Sequence, residues 1–178
     1  MSRVAKKNIV IPSQVTFACE NNLISVSNGA KKLSQPLHPS VELVQDEHGI
    51  SFRPSTKSGQ SCWAMAGTTR ALVANMITGV TDGFKVELQL VGVGYRAKLQ
   101  GRQVVFTLGK SHPDNFEIPD LVDVNIEKDV NITLTSIDKQ LVGQVAAKMI
   151  ALRVPDAYKG KGVRKVGVSL KLKEVKKK

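Results

Sequence analysis

Val122-Asp123-Val124-Asn125-Ile126, then Ile132-Thr133-Leu134, then Asp138 followed by Leu141, Val142, Val145, Met149 and Leu152 are the residues that decide the fold. In the first two runs apolar and polar residues alternate, which is the period of a half-buried strand. In the third the apolar residues recur on one side of a helix, and Asp138 offers the side-chain oxygen that caps an N-terminus. Pro155 disfavours helical geometry in the residue before it and closes the segment. Strands followed by one covering helix argue for an α+β arrangement rather than for alternating α/β.

The same succession lies upstream. Val15-Thr16-Phe17-Ala18-Cys19 reads as a strand, Asn21-Asn22 as a turn and Leu23-Ile24-Ser25-Val26 as the returning strand. Asn28-Gly29 is a strong hairpin signal. Residues 31–37, Val41-Glu42-Leu43-Val44 and Ile50-Ser51-Phe52-Arg53 continue the pattern, with His48-Gly49 as a turn between the last two. Met65, Ala66, Thr69, Leu72, Val73, Met76 and Ile77 then form a helical stripe, with Arg70 and Asn75 off it. Trp63 is expected to enter the core, and Gly79 to stop the helix. Residues 84–91 read as a strand, and residues 95–99 pair through Gln100-Gly101-Arg102 with Val104-Val105-Phe106-Thr107.

The two successions are in register. The offset from Leu23 to Val104 equals that from Val41 to Val122, and the offset from Ile50 to Ile132 is greater by one. The expected fold is therefore α+β with two tandem duplicated units, residues 1–81 and 82–178, each a mainly antiparallel sheet covered by one helix. The second unit ends in a basic C-terminal extension.

Charge distinguishes the halves. From Arg153 onward ten Lys or Arg stand against Asp156 and Glu174, a net +8. Arg3, Lys6 and Lys7 supply the rest of the +11 total, and residues 8–152 are neutral, with 13 basic and 13 acidic side chains. Charge gathered at the ends calls for an anionic partner. Within the extension, Tyr158, Lys159, Gly160, Lys161, Gly162, Arg164 and Lys165 are the candidate nucleic-acid contact. The cations suit phosphate, the tyrosine offers a face to a base or sugar, and the glycines let backbone come close to a partner. Lys176-Lys177-Lys178 alone would say little beyond solubility.

Other chemistries find no support. Gly92-Val93-Gly94-Tyr95-Arg96-Ala97 fits the letters of a dinucleotide fingerprint, but a hairpin pattern follows where a helix would have to open. It reads as a turn displaying Tyr95 and Arg96. Gly109-Lys110-Ser111 resembles the end of a phosphate-binding loop, yet Val104 stands where that loop needs glycine. His38, His48 and His112 have no ligand-like spacing, and Asp114 and Glu117 read as solvated charges. Cys19 and Cys62 lack CxxC spacing and read as reduced thiols of a cytosolic protein. No apolar run approaches the ~18 residues of a membrane span. The short run ending at Pro12 is no signal-peptide core. Asn131-Ile132-Thr133 is a glycosylation sequon in letters only. The expectation is no enzyme, no cofactor and no metal site.

Four groups of residues carry a family resemblance: Val91-Gly92-Val93-Gly94-Tyr95-Arg96; Leu108-Gly109 with Ser111-His112-Pro113; Asp138-Lys139-Gln140 with Gly143-Gln144-Val145-Ala146-Ala147; and Tyr158-Lys159-Gly160-Lys161-Gly162-Val163-Arg164. In this order they resemble the L6 family of bacterial large-subunit ribosomal proteins, over essentially the whole chain. The resemblance implies two similar α+β units. It also implies a structural, non-catalytic role in the large ribosomal subunit, in the cytoplasm, with no membrane and no small-molecule substrate. It implies binding to large-subunit rRNA near the stalk base and factor-binding region, beside neighbouring ribosomal proteins. Lys110, Val154, Ala157 and Lys165 depart from the residues usual in the family. Tyr95, Arg96, Ser111 and His112 join the basic segment as candidate RNA-binding residues, with most contacts expected to phosphate and sugar and selectivity from RNA shape. The neutral first unit is expected to be a spacer or a surface for neighbours. Two rivals stand beside this reading: a free-standing nucleic-acid-binding protein outside the ribosome, and a nucleotide-dependent enzyme built on Gly92-Val93-Gly94.

Overall fold

Short alternating strands closed by tight turns build the first unit, Met1–Gly83. The computed structural model describes residues 3–46, 49–55 and 62–174, so His48 and Lys176, Lys177 and Lys178 lie outside the described residues. Strands β1 (Thr16–Glu20), β2 (Leu23–Asn28) and β3 (Lys31–Pro36) form an antiparallel meander. Its first turn uses Asn21 and Asn22, both at positive φ. Asparagine enters that region more readily than most residues. Strands β4 (Val41–Asp46) and β5 (Gly49–Pro54) form an antiparallel pair. Helix α1 (Trp63–Thr81) packs on β2, β3, β4 and β5, burying Ala66, Thr69, Val73, Met76 and Ile77 with Ile24, Val26, Ile50 and Phe52.

Gly79 does not stop this helix. It is buried inside α1, which runs on to Thr81. The Asp82 and Gly83 amides both donate to the Thr78 carbonyl, at 2.9 and 3.1 Å. Gly83 itself takes positive φ, the left-handed exit that glycine adopts without steric cost.

The second unit, Phe84–Lys178, repeats the order. Strand β6 (Phe84–Val91) leads into β7 (Arg96–Gln100), β8 (Gln103–Thr107) and β9 (Asp114–Glu117), the last three forming one meander. Strands β10 (Val122–Glu127) and β11 (Asn131–Ser136) follow, then α2 (Lys139–Leu152) and β12 (Gly162–Lys165). Strand order in the larger sheet is β10-β11-β6-β12, antiparallel throughout. Asp138 caps α2 as its sequence position predicts, one carboxylate oxygen accepting the Gln140 amide at 2.8 Å. Val142, Val145, Ala146 and Met149 are buried, and α2 packs on β6, β11 and β12.

The fold is α+β with an internal duplication. A backbone bridge between Ile9 and Ile50 in the first unit occupies the place of the Leu88–Ile132 pair in the second. Two features differ from expectation. Residues 114–117 pair with β8 as a strand, and Asp114 is ion-paired to Lys110 at 2.8 Å rather than simply solvated. The glycine-rich segment, read from its composition only as a candidate contact in a basic extension, includes a strand: Val163 is fully buried and pairs with Leu90 on β6.

Candidate nucleic-acid interface

Helix α2 ends at Leu152, and Arg153 is already extended. The chain leaves the helix there and joins the sheet at Gly162 as β12. The Val163 amide donates to the Arg153 carbonyl at 2.9 Å and closes the base of this excursion. Inside it, the Asp156 amide donates to the Lys161 carbonyl at 2.9 Å and the Gly160 amide to the Asp156 carbonyl at 2.9 Å. The Asp156 carboxylate accepts the Lys159 amide at 3.0 Å, so the one acid of the loop is turned onto its own backbone. Tyr158, 52% exposed, and Lys159 and Lys161 are left at the surface.

Gly160 and Gly162 are buried, and the close approach that Gly162 allows is to the chain itself. A Cβ on Gly162 would lie 2.7 Å from Pro155 Cα and 2.8 Å from the Arg153 carbonyl oxygen. One on Gly160 would meet Leu172 at 3.4 Å. These glycines shape the loop that carries the cations; Gly162 is closed off by its own chain, whereas Gly160, at positive φ, also lines the groove of Lys159 and Arg164.

The loop borders two open grooves. Tyr95, Arg153 and Lys161 line the first, of about 550 Å³, together with Leu152, Val154 and Asp156. Lys159, Arg164 and Lys165 line the second, of about 420 Å³, beside Gln89 and the apolar residues Val166 and Leu172. Arg164 is half-buried and oriented by a 3.1 Å hydrogen bond from its guanidinium to the Gln89 side-chain oxygen. Beyond β12 the chain folds back, the Val166 amide donating to the Glu87 carbonyl at 2.9 Å and the Lys173 amide to the Ala157 carbonyl at 2.8 Å. The return of the chain over Ala157 brings Lys171 and Lys173 to the neighbourhood of the loop. The carboxylate of Glu87 is engaged by Lys85 at 2.6 Å, and the hydrogen bond and charge of Glu87 raise the Lys85 pKa.

Residues 92–95 form the expected turn, the Tyr95 amide donating to the Gly92 carbonyl at 3.4 Å, but the Tyr95 side chain is not displayed on it. Its half-buried ring packs over Gly92 and Gly109, where added Cβ atoms would fall 2.7 and 3.2 Å from ring carbons. The ring thus ties the loop bearing Ser111 and His112, both exposed, to the first groove. Arg96 is exposed at the start of β7, opposite Thr107. Arg96, Ser111 and His112 are adjacent to the grooves' residues in sequence or packing but line neither. Residues 92–95 pass directly into β7, so no helix follows the glycines.

Sequence reasoning counts the charge of Arg153 but does not place it in the site. Its signal is its position between the end of α2 and Pro155. Gln89 escapes the sequence because its bond to Arg164 spans 75 residues, which local patterns do not register. Among the described residues no cluster of His, Cys, Asp or Glu could hold a metal ion.

The chain is 47% identical over 178 residues to the large ribosomal subunit protein uL6 of Hahella chejuensis, covering 100% of both chains. It is 47% identical over 180 residues to that of Neisseria meningitidis serogroup B and 45% over 178 residues to that of Alcanivorax borkumensis, again with 100% of both chains covered. The chain belongs to the ribosomal protein L6 family. The family model of ribosomal protein L6 matches residues 91–166. That L6 span runs from the last residue of β6 to the residue after β12, and every RNA-binding residue expected from the sequence lies inside it. The family is one of structural ribosomal components, not enzymes.

Proposed function

We propose that the chain is a structural constituent of the large ribosomal subunit and binds large-subunit rRNA through its second unit. The observation that carries the reading is the pair of grooves around the 153–165 loop, where cations of a tail of net +8 gather, with Tyr95 lining one of the two. Lys159, Lys161, Arg164 and Lys165 neutralise phosphates, Arg153 adds a planar fork, and Tyr158 stacks or packs at the contact. Most contacts go to phosphate and sugar, which position the protein without reading sequence. In line with the family, the contact lies near the stalk base and factor-binding region, neighbouring ribosomal proteins are partners, and the protein works in the cytoplasm as part of the ribosome. No helix among the described residues is long and apolar enough to cross a membrane.

Sedimentation with purified large subunits at moderate salt, followed by sequencing of RNA fragments retained by the chain, tests this reading. The expected result is co-sedimentation and enrichment of large-subunit rRNA. A chain that stays in the supernatant yet retains unrelated nucleic acids equally well would be a free-standing binder instead.

A further inference from the structure

The first unit carries a cationic groove of its own. Ala5 is fully buried, and Ile9 and Ile50 exchange backbone hydrogen bonds of 2.8 and 2.9 Å, which fix the N-terminal segment on β5. From α1, Arg70 donates its Nε–H to the Lys7 carbonyl at 3.3 Å. The segment is therefore held at several points, and Lys6 is placed beside Arg53 of β5 and Trp63, the first residue of α1. With Asn8, Ser51 and Phe52 near them, these residues border an open groove of about 460 Å³. No acidic side chain among the described residues lines it. Among the described residues Lys6 and Arg53 form no ion pair. By strand register Glu42 stands opposite Arg53 on β4, and its carboxylate accepts the Ser55 hydroxyl at 2.8 Å.

Two cations alone would suit any polyanion. An indole beside them, packed in part against the first unit's core as expected and half-buried where it lines the groove, narrows the partner, because a base stacks on an aromatic face while its flanking phosphates meet Lys and Arg. An acidic peptide would use the charges and leave the ring without a planar partner. We propose that Lys6, Arg53 and Trp63 form a second RNA contact that takes an unstacked nucleotide from a single-stranded or looped segment. The base lies on Trp63 and the adjoining phosphates on Lys6 and Arg53. This goes beyond the contact of the second unit and rests on that reading only in taking RNA as the polyanion.

Trp63 is the chain's single tryptophan, so its emission reports on this groove directly. The full chain would be titrated with a large-subunit rRNA fragment and, separately, with a short single-stranded oligoribonucleotide, filter retention being followed in parallel. RNA should quench Trp63 in the wild type. The Lys6→Ala/Arg53→Ala variant should keep filter retention of the rRNA fragment, lose the quenching, and bind the oligoribonucleotide about tenfold or more weakly. Lys6→Arg/Arg53→Lys should restore both readouts, which separates lost contact from lost folding. Lys159→Ala/Lys161→Ala should weaken retention yet leave quenching at saturation. If the wild type fails to retain rRNA but the oligoribonucleotide still quenches Trp63, the reading of the second unit fails and this one stands. Unchanged emission at saturation with both RNAs overturns it. So does equal quenching in a folded Lys6→Ala/Arg53→Ala variant, or quenching by a glutamate-rich peptide but by neither RNA.

Discussion

The two units share one order of strands and helix but differ at one sheet edge. In the second, β11 pairs along its whole length with β6, and β6 carries β12 on its other side. In the first, the corresponding place beside β5 holds only the Ile9–Ile50 bridge among the described residues. The added strand brings the difference in chemistry with it, because the loop between α2 and β12 holds Tyr158, Lys159 and Lys161. A duplicated scaffold has thus been specialised at an edge, leaving its cores alike. The cores are two clusters with no member in common, one built on Ile50, Phe52 and Val73, the other on Leu88, Phe106 and Met149.

The largest effect should come from the second core. Met149 is fully buried, and Met149→Ala should cost about 2–5 kcal/mol in a denaturant melt. Trp63 emission, a probe of the first unit, should keep its own midpoint; a common shift in both units would break the idea of separate cores. Glycine tests the comparison next. Gly162→Ala drives a methyl into backbone and should destabilise by roughly 2–4 kcal/mol. Gly29 lies in a turn of the first unit at positive φ, with open space where a Cβ would stand. Gly29→Ala should therefore cost only about 1 kcal/mol. Equal losses at the two sites would mean that the loop base yields easily.

Salt dependence sharpens the comparison at the level of binding. Lys159→Ala/Lys161→Ala should flatten the slope of log affinity against log salt for an rRNA fragment by roughly 1–2 units. Lys31→Ala/Lys32→Ala, on β3 of the first unit, should flatten it much less. Matching slopes would show that the charge acts diffusely. The smallest effect is expected at Arg70, whose Ala variant loses the exposed hydrogen bond to Lys7. The loss should be about 0.5–1 kcal/mol, read by thermal melting.

Alternation, caps and turns are the signals a sequence carries locally. Asp138, Asn21-Asn22 and the constant offset between the halves are legible because each depends on residues close in sequence or on a repeat. Gly79 misleads because a glycine inside a helix and one ending it look alike until the exit conformation is known. Composition hides β12. Glycine and lysine are poor strand formers, and what makes 162–165 a strand is its partner β6, far back in the chain. Tyr95 reads as displayed because its packing over Gly92 and Gly109 depends on two loops meeting. The basic segment is legible as charge, whereas its division into two grooves requires the fold.

The pairing of β12 with β6 also bears on the order of synthesis. Gly162 lies opposite Val91, so the first strand of the second unit must wait until residue 162 has been made before that edge is covered. Units fold as the chain emerges, N-terminal first. The first unit can settle while the second still presents a bare strand edge, a surface prone to wrong pairing. A nascent chain interrupted before residue 162 would have α2 and most of its core but no closed loop to hold Lys159 and Lys161 in place. A chain that lacks β12 would thus lack both the cover on β6 and the ordered loop on which the proposed rRNA contact depends.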